Sequence, residues 1–395
     1  MANTIKLKRG TSTPSTSDIS SGEVAIDTSA KKLYINDSGT VKEIGGGGLT
    51  SDAQGNIVAG TNAGDSFSGT DATDNILFGD NAGTAITTGD KNIAIGTDAL
   101  KTEDTVDTGL LAIGHKALEL NNSGQYNVAL GHRSLQDCVS GNYNTGVGWR
   151  TLSETTASDN CAFGYNALIA NTTASENVCM GFKAGAAATT AGRLLAIGWK
   201  AGEAVTTGTE NCFIGDISGQ GITTGRNNVM VGRRTMYHSS YAASDYNTLI
   251  GGEISTSSSG GTSSKNTVVG YQAFGKPNGA HGNAILGYQA GDEITSGDYN
   301  VIIGYQASNT ANNDLTTGEN NILIGKQAAA SSATVSNEIT LGDTAITKFR
   351  VPGINFVVKD TTATEDYVLT VDSNGEAGWE AASSGVSSDA QKNTV

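Results

Sequence analysis

The stretch NAILGYQAGDEITSGDYNVIIGYQA, residues 283–307, carries its own repeat. Asn283 to Gly287 (NAILG) followed by YQA returns 17 residues later as Asn300 to Gly304 (NVIIG), again followed by YQA. Read outward in both directions, the five-residue unit Asn-x-x-x-Gly recurs from Asn56–Gly60 to Gly342, closing on 17 glycines. Ten of the sixteen intervals between those glycines are 17 residues. A fixed period of this kind marks a chain built from stacked copies of one unit, and it takes precedence over any local reading.

Each position in the unit has a physical reason. Asn stands before the strand in 14 of the 17 copies, the others being Leu110, Leu194 and Glu338. Asparagines stacked on successive coils can form an amide ladder while satisfying turn backbone groups. Apolar residues two apart, such as Ile93 and Ile95, predict a short strand with one face buried. The closing glycine allows a corner with positive φ. Ala stands three residues after it in 12 copies, small enough for a narrow interior to close without voids. The period is too short for the common helical repeats of roughly 33 to 47 residues. It predicts an all-β chain, a β-solenoid with two short strands and two turns per coil. At ~4.8 Å per coil, 17 coils make a rod about 80 Å long.

The middle residue of the strand is expected to face away from the chain's own interior. It is Ala at 94, 112, 129, 162 and 196, then large at Phe213, Met230, Leu249, Val268, Ile285, Ile302 and Leu323. An apolar stripe of that length needs a cover. Other copies of the chain would supply it, wound about a common axis as a homotrimer, closer together in the first half than in the second.

Composition narrows the function. The chain has 395 residues, of which 53 are Gly and only 3 Pro, with 23 aromatic residues. Collagen is excluded by the missing Gly period and low proline, and an ordinary enzyme core would carry more aromatics. The formal net charge of −15 argues against a nucleic-acid partner or an anionic membrane surface. No apolar run approaches the ~20 residues of a membrane span, so no membrane insertion is expected. MANTIKLKRG (1–10) has no apolar stretch behind its basic residues and does not read as a secretory signal. The four cysteines form no CxxC pair, and those at 161, 179 and 212 are expected to act as small apolar strand residues.

Few residues suggest chemistry. His115 and His132 hold the same position one coil apart and should stack, as part of an aromatic run rather than as a metal pair. That run continues through Trp149, Tyr165, Phe182 and Trp199, and Tyr271, Tyr288 and Tyr305 form a second. Stacked rings could bind sugars of a host polysaccharide, although the plainer reading is that they stack on each other and cover chain–chain contacts. Glu103–Asp107 reads as a solvated turn rather than a glycosidase-like pair. The turns GDNAG (79–83) and SGTDATDN (68–75) hint at calcium repeats, but the pattern does not persist. Neither catalytic residue, cofactor nor metal is expected. Three longer turns, 235–246, 252–265 and 306–320, should bulge from the rod. Tyr237, His238, Tyr241 and Tyr246 make the first the best candidate for a receptor contact, since function concentrates on loops held by a rigid scaffold.

The ends lack the repeat. Three domains are expected: a β domain at 1–46, the solenoid shaft at 47–345 and a C-terminal β segment at 346–395. In the first, short strands are expected at Ile5–Leu7, Glu23–Asp27, Lys32–Ile35 and Val41–Ile44. Its motifs Arg9-Gly10, Gly22-Glu23 and Lys32-Leu33-Tyr34-Ile35 resemble the N-terminal domain of phage tail-fibre and tropism-determinant proteins. That resemblance implies an anchor docking on tail, baseplate or adaptor proteins, with Lys6, Lys8, Arg9 and Tyr34 as the docking residues. It implies a virion tail appendage made in the host cytoplasm, whose distal part meets a host surface glycan or protein. The copies of Gly-Tyr-Gln-Ala at 270, 287 and 304 are similar to the head repeats of trimeric autotransporter adhesins, which run on a shorter period. A bacterial trimeric surface adhesin is therefore one alternative, and a polysaccharide-degrading tailspike is another. YVLTVDSNGEAGW (367–379), with a tight turn at Asp372–Gly375, resembles segments just before the C-terminal chaperone of phage fibres and spikes. The last residues, VSSDAQKNTV (386–395), echo LTSDAQGNIV (49–58), which suggests an end made by processing, truncation or cloning.

Overall fold

The computed structural model describes residues 8–21, 23–29, 32–38, 40–44, 51–102, 109–258, 261–310, 313–350, 367–371 and 377–381. They fall into two units, Met1–Asp343 and Thr344–Val395. The first opens with a four-stranded sheet in the order β1 (Lys8–Gly10), β2 (Val24–Asp27), β3 (Lys32–Asp37), β4 (Thr40–Ile44). The first pair is parallel and the other two antiparallel. The expected strand at 5–7 lies outside the described residues, and the observed one begins at Lys8. In the second unit β22 (Tyr367–Val371) and β23 (Ala377–Ala381) pair as an antiparallel hairpin, while the turn between them and the final segment at 386–395 lie outside the described residues.

The repeat forms a parallel β-solenoid. Seventeen three-residue strands, β5 (Ile57–Ala59) to β21 (Ile339–Leu341), pair in sequence order and in unbroken register, as Ile93↔Leu111 and Ile302↔Leu323 illustrate. There is one strand per coil, not the two expected. After the corner glycine the second and fourth residues both take left-handed φ, as at Lys116 (φ 61°) and Leu118 (φ 49°). This alternation cannot make an extended strand. The turns still pair coil to coil, Leu118 N–H donating to Ser134 C=O at 3.1 Å and Leu120 N–H to Gln136 C=O at 2.9 Å.

The asparagine ladder is present. Asn247 Oδ1 accepts the Asn266 N–H at 3.1 Å, and Asn247 Nδ2 donates to Asn228 Oδ1 at 3.0 Å and across the coil to Ser263 C=O at 2.9 Å. At Leu110 and Leu194 the backbone N–H still bonds the preceding asparagine, but the side chain hands nothing on.

The strand's orientation corrects the sequence reading. Its middle residue points into the chain's own interior and is buried in every coil but the two terminal ones, where Val58 is 38% exposed and Thr340 half-buried. The first and third residues face outward. In most coils the size of the middle residue is balanced within one chain by the residue four places after the corner glycine; Ala196 with Gly202, Met230 with Met236 and Val268 with Phe274 are the exceptions. Where the middle is Ala94, Ala112, Ala129, Gly146 or Ala162, that residue is Leu100, Leu118, Leu135, Leu152 or Leu168. Where it is Leu77, Cys179, Phe213 or Ile285, that residue is a glycine, at 83, 185, 219 or 291, directly against it. The size change therefore says nothing of how close neighbouring chains sit. All four cysteines are free; Cys138 and Cys179 are buried, and Cys161 and Cys212 sit half-buried in outward strand positions.

Candidate functional site

Each coil presents three parallel features to solvent: the outward strand face and a column of side chains on either side of it. The outward face takes the first and third residues of 17 strands, 34 positions, of which Thr145, Thr248 and Thr267 are the only ones that are not apolar and none is charged. A face left to water would alternate with polar residues.

One flanking column holds the residue after the corner glycine. His115, His132, Trp149, Tyr165, Phe182 and Trp199 stack continuously, with centroids 4.9–6.2 Å apart and planes within 18°. Tyr271, Tyr288 and Tyr305 form the second run at 6.0 and 5.4 Å. Both runs fall where the sequence places them. Their ring faces are occupied by each other, and Arg150, Lys183 and Lys200 approach the Trp149, Phe182 and Trp199 rings at 5.5, 5.8 and 4.9 Å. Partial burial, and then the nearby charges of His115 and Arg133, hold the His132 imidazole below its usual pKa. No cluster of three or more metal-ligating side chains occurs among the described residues.

The other column holds the residue just before the asparagine. It includes Tyr126 and Tyr143, stacked at 5.3 Å, then Tyr246 and Tyr299, which are 50% and 63% exposed. Of these the sequence reading singled out only Tyr246. Their shared place one residue before the repeat asparagine was the signal that would have found the rest.

The 235–246 turn divides its candidate residues. The Tyr237 and His238 rings meet at 4.1 Å and are half-buried, and Tyr246 is exposed. Tyr241 is fully buried, which removes it as a receptor contact. Thr223 N–H bonds Ala242 C=O, so the two extra residues of this coil bring Tyr241 into line with the core residue Ile222. Burial pushes its phenol pKa up.

His238 edges a polar groove of about 730 Å³ that also includes Glu253, Gln272, Lys276, Gln289 and Asp292. A one-way amide chain runs into it, Gln306 donating to Gln289 at 2.9 Å, Gln289 to Gln272 at 3.0 Å and Gln272 to Glu253 at 3.0 Å. Tyr271 Oη also donates to Glu253, and these bonds hold that carboxyl below its usual pKa. Asp292 is raised instead, by desolvation and by Glu293 beside it. A second hollow, about 490 Å³, lies between Tyr246 and Tyr299.

At the N-terminal sheet Lys8 and Arg9 are exposed and line a hollow of about 350 Å³. Lys8 Nζ is engaged by Glu23 at 2.7 Å and Asp18 C=O at 3.0 Å. Tyr34 sits opposite Ala25 and is only 7% exposed, so it is a core residue of the sheet and not a docking contact. Lys6 and the acidic run 103–107 lie outside the described residues.

No protein-family model matches this sequence, and no curated protein matches it either.

Proposed function

We propose that the chain is a structural, non-enzymatic virion protein, a phage tail fibre that mediates attachment to the host cell surface and works as a homotrimer. The uncharged outward face of the strand ladder carries this reading. A ladder of 17 strands at ~4.8 Å, each ~10 Å wide, gives a face on the order of 800 Å². That exceeds the few hundred Å² of exposed apolar patch usual on a monomer and matches the ~800 Å² per partner of a standard stable interface. With the middle residue buried, the first and third strand positions are the ones left to form a self-association surface, and Leu130, Met180, Ile250 and Leu286 are exposed there. The N-terminal motifs that resemble tail-fibre anchors supply the virion end of the reading, and the exposed tyrosine columns supply side chains for a surface ligand.

The first test is the mass of the native protein by light scattering. About three times 40.2 kDa supports the assembly. A stable monomer removes it and the fibre reading built on it. Competition by the purified protein for adsorption of phage to cells then tests attachment, and loss of polysaccharide viscosity on incubation would instead favour the tailspike alternative.

A further inference from the structure

We propose that the hollow between Tyr246 and Tyr299 is a carbohydrate-binding site that takes a hexopyranose unit of a surface glycan. This deepens the attachment reading and rests on it for its biological meaning. The lining is Asp245, Tyr246, Ser264, Lys265, His281 and Tyr299, around about 490 Å³. That volume lies within the ~300–1,000 Å³ of small-molecule sites.

Three observations point to a sugar. First, the two rings are among the most exposed aromatic side chains of the described residues, at 50% and 63%, and neither stacks on another ring. Each keeps an open face to offer the C–H face of a pyranose, unlike the occupied rings of the Trp149–Trp199 column. Second, of the two coils between these tyrosines, one brings no side chain to the column. Gly282 occupies the column position between Lys265 and Tyr299, and the Tyr299 ring leans over it, with Cδ1 2.7 Å from where a Cβ would stand. A side chain at 282 would push the Tyr299 ring out of its place in the site.

Third, the polar groups are of both kinds and only partly used. Asp245 Oδ1 accepts the Arg226 N–H at 2.8 Å, and its other carboxylate oxygen has no hydrogen bond among the described residues. Lys265 forms no ion pair among the described residues, although the chain carries a net charge of −15. His281 Nδ1 accepts the Ser264 N–H at 3.1 Å, which leaves the other ring nitrogen to carry the donor of the neutral imidazole. A carboxylate acceptor, an ammonium donor and an imidazole donor between open rings suit a ligand whose hydroxyls both give and take hydrogen bonds. A purely anionic or apolar ligand would leave one of these groups opposed.

The test is saturation-transfer NMR on the full-length protein with D-glucose, D-galactose, N-acetyl-D-glucosamine and D-glucuronate as probes. At least one is expected to receive saturation from the wild type. Tyr299→Ala should weaken its affinity roughly tenfold, as should Gly282→Leu by displacing the Tyr299 ring, while Trp199→Ala leaves it unchanged. Silence with all four sugars, or binding unchanged in Tyr299→Ala and Gly282→Leu, overturns the site. Circular dichroism of Tyr299→Ala checks that the coil is intact. Adsorption to cells separates the two readings. Competition by the wild type without sugar binding sinks the site alone, and sugar binding without any competition sinks the attachment reading alone.

Discussion

The ring of Phe213 lies against Gly219 across the interior of one coil, so close that a Cβ on the glycine would come within 2.6 Å of three ring carbons. Gly219 is also left-handed, with φ 63°. Gly219→Leu should therefore destabilise the chain by ~2–4 kcal/mol through overpacking and backbone strain. Phe213→Ala alone should cost ~3–5 kcal/mol by opening a cavity. Combined, the two recreate the Ala162–Leu168 pairing, and much of the loss should return. Denaturant unfolding of the three variants measures the coupling, and simple additivity would show that the two residues do not share the space.

Asn247→Ala removes a buried side chain that makes bonds to both neighbouring coils. It strands the Ser263 carbonyl and the Asn266 N–H. A loss of ~2–4 kcal/mol is expected. Asn247→Leu should cost less than the alanine variant, because Leu110 and Leu194 already fill that position elsewhere. Thermal melts of both variants rank them.

Asp292 gives a pH signature. Its folded pKa is raised, chiefly by desolvation and then by Glu293, against the opposing pull of Lys276 and a further push from Asp314. A raised folded pKa means the carboxyl favours the folded state below its unfolded value, and that advantage is lost as pH rises through the folded value. Asp292→Asn should thus raise the melting temperature at pH 7 and change it little at pH 4. An equal shift at both values would count against the burial argument.

The outward face can be tested by charge. Leu130→Lys together with Leu286→Lys places ammonium groups at two exposed, outward-facing strand positions. The circular dichroism spectrum should persist while the light-scattering mass falls toward one chain. An unchanged trimer would place its contacts elsewhere.

The period was legible because every copy repeats the same three demands: an amide before the strand, a glycine at its corner and a small residue beyond. The strand's facing was not. Apolar residues fill all three strand positions in copies such as Ile302 and its neighbours, so alternation alone does not say which side is inside. The deciding partners, Leu135 and Gly219 among them, lie six residues further along, beyond a corner whose direction depends on φ. Likewise, a place in a longer turn singled out Tyr241 and a motif resemblance singled out Tyr34, whereas two extra residues in one coil and a strand pairing in the small sheet turned both inward.

Because β5 pairs only with β6 (Ile76–Phe78) and β21 only with β20 (Ile322–Ile324) among the described strands, every coil meets just its nearest neighbours. Stability in such a ladder is a sum of similar local increments, and ordering can start anywhere and spread. Length then becomes a quantity that can change in whole steps. Deleting one complete coil should leave the remaining register intact and shorten the ladder by ~4.8 Å, whereas deleting half a coil brings strand against turn and misaligns amide, corner and core at once. The molecule is a ruler graduated in single coils.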